Sequence, residues 1–63
     1  AYQNKTLMLA VFALKEIGQP QVTEEHIAQL KTIFARIPKS SILPDLRLVP
    51  AWIRKIIMSF YEK

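Results

Sequence analysis

The chain has 63 residues, 51% of them apolar, with no cysteine, one histidine and a net charge of +4. The absence of cysteine excludes disulfides, thiolate chemistry and cysteine-ligated zinc, and His26 alone cannot supply a structural zinc site. Disorder is excluded at this apolar content, while a core this small needs reinforcement from tight helix packing or from association.

The first segment is closed by the only glycine. Gly18 directly follows Ile17, where a left-handed helix terminus favours glycine, and Pro20 stands two residues beyond. With Asn4 as a natural N-cap, the first helix is expected over residues 4–17. Thr23 then offers a second N-cap, and Glu24 and Glu25 fall in a first turn where the helix dipole favours acids. Ile27, Leu30, Ile33, Phe34 and Ile37 recur at the spacing of one helical face. Pro38 disfavours helical geometry at Ile37, so this helix is expected over 23–37.

Residues 38–50, PKSSILPDLRLVP, hold three prolines and cannot form one regular helix. Ile42, Leu43, Leu46, Leu48 and Val49 are too apolar for a solvated loop, so the segment is expected to lie across a core, with a single helical turn near Ser41 to Leu46. Pro50 suits a first helical position and opens a third helix over 50–61, whose stripe is Trp52, Ile53, Ile56, Ile57 and Phe60. The expected fold is therefore all-α: one domain over 1–63, a small three-helix bundle with an apolar, proline-broken connection between helices two and three. Its expected core is Leu7, Val11, Leu14, Ile27, Leu30, Phe34, Trp52, Ile53 and Ile56.

The run LMLAVFAL, residues 7–14, is apolar around its whole circumference, whereas a surface helix needs only one stripe. At about 100° per residue, Leu7, Ala10, Val11, Leu14 and Ile17 form the core face. Met8 and Phe12 form a second stripe with Leu9 beside it, flanked by Lys5, Lys15 and Glu16. Either the 42–49 segment covers that stripe or it stays open as a contact surface rimmed by charge. The second alternative nominates Met8, Leu9, Phe12 and Lys15 as interface residues. Met58 and Tyr61, off the main stripe of helix three, are a smaller version of the same case.

Charge is one-sided. Residues 1–31 are neutral, and residues 32–63 carry six cations against two carboxylates. A basic half serves solubility first, and it also suits nucleic acid or another acidic partner. LKEIGQPQVTEEHIAQL, residues 14–30, resembles the opening of helix-turn-helix and winged-helix domains, a resemblance that implies nucleic-acid binding. Arg36, Lys39, Arg47, Arg54 and Lys55 would then meet phosphates. A reading helix should follow closely and expose polar and basic groups, but here a proline-broken, leucine-rich stretch follows, so nucleic acid ranks second to protein as a partner. A membrane ranks third, because caps and proline stops specify a globular fold and not a surface-lying helix. The chain opens at Ala1 without the layout of a secretory signal, and reads as a processed product or as one domain of a longer protein.

No residue constellation nominates catalysis. His26 lacks a nucleophile and an orienting group, and reads as a half-buried structural histidine. Ser40 and Ser41 read as turn residues, and Glu24 and Glu25, being adjacent, face different directions. The expectation is a non-catalytic module without cofactor or metal, binding a protein partner or a second copy of itself.

Overall fold

A computed structural model describes residues 1–62, and three α-helices carry the architecture: α1 (Lys5–Ile17), α2 (Glu24–Phe34) and α3 (Ala51–Ser59). Among the described residues there is no strand. The fold is all-α, a three-helix bundle, as the periodicity and the caps require.

Each helix boundary has a local cause. The Asn4 side chain accepts a hydrogen bond from the Leu7 amide at 2.9 Å, satisfying one of the free donors at the start of α1. Gly18 ends α1 with φ +87°, a conformation that side chains with a Cβ resist, and its N–H donates to the Leu14 carbonyl. A short 3-10 turn, Gln19–Gln21, then carries Pro20 and turns the chain into α2. At Thr23 the cap is reciprocal. Its hydroxyl oxygen accepts from the His26 amide, and His26 Nδ1 accepts from the Thr23 amide at 3.0 Å. A histidine thus fills the place that glutamate or glutamine usually takes in a capping box.

α2 stops at Phe34, three residues before the expected end. The amides of Arg36 and Ile37 bond back to Ile33 and Phe34, tightening the chain into i→i+3 turns ahead of Pro38. The Tyr61 hydroxyl donates to the Ile37 carbonyl at 2.8 Å and more weakly to that of Phe34, so α3's tail closes the end of α2. α3 itself ends at Ser59, and Phe60 and Tyr61 continue it as a turn.

The connection folds as two 3-10 segments, Lys39–Ser41 and Leu43–Leu48, and belongs to the core. Ile42 and Val49 are buried together with Leu7, Ala10, Val11 and Leu14 of α1, Phe34 of α2, and Ile53 and Ile57 of α3. The expected core therefore needs correction. Ile27, Leu30, Trp52 and Ile56 are half-buried, Leu30 and Trp52 against the core's edge, while Ile42 and Val49 of the connection are part of the buried centre. Phe60 stacks on Phe34 at 5.9 Å between ring centroids and extends the core beneath α2.

One charge lies within this apolar packing. Asp45 is 1% exposed, and its carboxylate accepts the Asn4 amide at 2.8 Å and the Gln3 amide at 2.9 and 3.0 Å. These backbone hydrogen bonds, first from Asn4 and then from Gln3, hold its carboxyl below the usual carboxylate range against the opposing effect of burial. The connection is thereby fastened to the residues that start α1. Nearby, Tyr2 donates its hydroxyl to the Leu48 carbonyl at 3.1 Å, and burial followed by the Asp45 charge raises its pKa.

Two measurements check this core. Ile42→Ala should cost about 2–5 kcal/mol in a denaturant melt, as much as Ile53→Ala, because both side chains leave cavities in one packed centre. A loss under about 1 kcal/mol would show that the connection only covers the bundle. In acid, the unfolded chain takes up the Asp45 proton before the folded chain does. Its stabilisation is complete above the ordinary carboxylate pKa and is lost as pH falls through the lowered folded value. Asp45→Asn should therefore lower the urea midpoint at pH 7 and flatten the acid limb below the ordinary carboxylate pKa; an unchanged midpoint at pH 7 would contradict this.

Candidate protein-contact face

α1 has two apolar faces with different fates. Leu7, Ala10, Val11 and Leu14 are buried in the centre, while Leu9 is 63% and Phe12 50% exposed on the opposite side. The connection resolves the ambiguity of the LMLAVFAL run by packing on the core side, with Ile42 and Val49 turned inward. Tyr2 links it to Phe12: its ring meets the Phe12 ring edge-on at 6.3 Å while its hydroxyl donates to the Leu48 carbonyl. Leu43 and Leu48 are themselves exposed.

The open face continues onto α2. An apolar groove of about 270 Å³ lies between Thr6, Leu9, Ala10 and Ala13 of α1 and Leu30 and Ile33 of α2. It passes into a smaller recess of about 120 Å³ where Leu14 and Ile17 meet His26 and Gln29. The two helices therefore run antiparallel along the groove. Ile33, assigned by its spacing to the buried stripe of α2, is 45% exposed on this groove. The reason is angular: Ile33 stands about 100° from the buried Phe34, at the margin of the stripe. The alanines, which offer little side chain to fill the space, leave the groove shallow and apolar.

The remaining interface candidates divide. Lys15 is exposed, as a rim residue would be, and Met8 and Met58 are half-buried. Tyr61 faces inward: it packs on the core, its hydroxyl is engaged by the end of α2, and burial raises its pKa. These contacts are internal to the chain and lie away from the exposed Leu9 and Phe12. A separate open groove of about 500 Å³ separates the Gln19–Gln21 turn from α3, lined by Val22, Ile27, Trp52, Ile56 and Lys55. It explains why Trp52 and Ile56 are not fully buried.

The basic residues nominated for phosphate contact are spread over several elements. Arg36 follows α2, Lys39 and Arg47 sit in the two 3-10 segments, and Arg54 and Lys55 lie on α3. All but the half-buried Arg54 are exposed. Sixteen residues separate α2 from α3, so no helix follows the α1–α2 hairpin through the short turn that the helix-turn-helix resemblance implies.

His26 has one ring nitrogen committed to the Thr23 amide, which places it in the structure of the helix start. Among the described residues, no group of three or more His, Cys, Asp or Glu is placed to hold a metal ion. No helix among them is long and apolar enough to cross a membrane. Comparison with protein-family models, curated proteins and solved structures finds no match.

Proposed function

We propose that this chain is a non-catalytic helical module that binds protein through the open face of α1 and the groove it shares with α2. One observation carries the reading. Leu9, Phe12 and Ile33 are exposed next to one another: Leu9 and Ile33 line the same groove, and Leu9 and Phe12 are neighbours three apart on one helix. Isolated exposed apolar residues are ordinary on any surface, whereas a contiguous patch rimmed by charge marks a contact site. The rim here is Lys5, Lys15 and Glu16 on α1, Glu25 on α2 and Arg36 just after its end, all exposed. Phe12 is the residue best suited to anchor a contact, since a truncated central aromatic removes the largest share of binding energy.

A photocrosslinking side chain at position 12, in cells that produce the chain, tests the reading against the same probe at Ser40, an exposed turn residue. The expected outcome is a protein adduct, to another copy or to a different chain, that forms from position 12 and disappears with Leu9→Glu while helical content is retained. Phe12→Ala should weaken that contact by about 2 kcal/mol, roughly thirtyfold. It should cost the isolated protomer no more than about 1 kcal/mol, since half of the ring is already in solvent. A position-12 signal no stronger than that from position 40, or one indifferent to Leu9→Glu, would overturn the reading.

A further inference from the structure

The charges around the α1–α2 groove are sorted by end. α1 and α2 run antiparallel along it, with Thr6 and Leu9 beside Ile33 and with Ile17 beside His26 and Gln29. Lys5 precedes Leu9 by one turn and Arg36 follows Ile33 by three residues, so both cations stand at the Thr6 end. Glu16 follows Ala13 by three residues and Glu25 precedes Gln29 by four, so both carboxylates stand at the Ile17 end. Lys15 stands about 100° from Glu16 around α1 and flanks Phe12 on the side away from the groove. The groove itself therefore has a basic end and an acidic end, with Leu9, Ala13, Leu30 and Ile33 between them.

Such a face is complementary to itself when it is reversed. We propose that the occupant of the groove is a second copy of this chain, docked about a two-fold axis that crosses the groove, so that the helices of the two copies run antiparallel. This rests on the protein-binding reading above and adds its partner and its geometry. The axis brings Lys5 against the partner's Glu16 and Arg36 against the partner's Glu25, and each pair occurs twice. The alternative two-fold, along the groove, sets like charges against like charges, which association disfavours. Leu9 and Ile33 of each copy enter the groove of the other, and an interface of this type uses the same patch on both copies. The charges fix direction and register, and the apolar floor supplies the burial.

Charge-swapped variants measured by sedimentation equilibrium at low salt test the arrangement. Lys5→Glu with Arg36→Glu makes the rim acidic at both ends, and Glu16→Lys with Glu25→Lys makes it basic at both ends. All four side chains are exposed, so the fold should survive either change. If Glu25→Lys disturbs the start of α2, Lys5→Glu and Glu16→Lys, used separately, carry the same test on α1 alone. Wild type is expected to dimerise, and each variant alone to dissociate at about tenfold higher concentration or more, as opposite-charge pairs become like-charge pairs. A one-to-one mixture of the two variants should regain the wild-type dimer as a heterodimer. A wild type that dimerises but is indifferent to the swaps, or a mixture that gains nothing, overturns the antiparallel arrangement. A wild type monomeric to about 1 mM overturns the second-copy occupant. The protein-binding reading then stands or falls separately on the position-12 crosslink.

Discussion

The fold depends on a buried carboxylate that binds backbone. Asp45 sits inside the apolar connection and accepts two amides from the residues immediately before α1. An ionised group removed from water is costly unless strong hydrogen bonds replace its hydration, and charge-assisted bonds to backbone N–H groups are of that kind. They also fix geometry. Asn4 donates its N–H to Asp45, while its side-chain oxygen accepts from the Leu7 amide and its carbonyl from the Met8 amide, so one residue joins the connection to the first turn of α1. With Asp45 held there, Ile42 on one side of it and Val49 on the other turn into the centre, while Leu43 and Leu48 turn out. This contact fastens the connection to the start of α1 on the core side, and the opposite side is left bare.

The exposed face follows from that placement. A chain of 63 residues with half its side chains apolar has more apolar surface than one small core can hold. The connection takes the inner face of α1, α3 completes the enclosure, and Leu9, Phe12 and Ile33 are left over. Covering them from within would need another element, and the three helices are already committed to the centre. The dimer we propose would cover this face without lengthening the chain, its sorted charges supplying the direction that a smooth apolar groove cannot.

What the sequence discloses is what local chemistry decides. Gly18, Thr23, Pro38 and Pro50 each act through their own backbone or that of a near neighbour, and they divide the helices with errors of three residues or fewer. The core of α1 is equally legible, since the spacing of Leu7, Val11 and Leu14 leaves one inward direction. The connection was legible as apolar and core-covering, but not residue by residue. Which of Ile42, Leu43, Leu48 and Val49 face inward depends on long-range contacts, among them the bond between Asp45 and Asn4, 41 residues apart in sequence, that no spacing announces. A lone aspartate among leucines and prolines was the available sign. On the open face of α1, the exposure of Leu9 and Phe12 is readable from the doubled apolar stripe. That of Ile33 is not, because a residue at the margin of a helical stripe is buried or bare according to how its neighbour tilts. The internal engagement of Tyr61 is not legible either: its ring reads as surplus until the free carbonyls at the end of α2 are seen to need a donor.

The most direct test of this account is amide hydrogen exchange at Gln3 and Asn4 at neutral pH. Residues this close to the start of a described chain ordinarily fray and exchange freely. If the Asp45 carboxylate organises the fold, both amides will be protected to nearly the level of the central amides of α3 around Ile53. If they exchange at the rate of an open terminus while α3 remains protected, the anchor does not exist in solution, and the placement of the connection needs another cause.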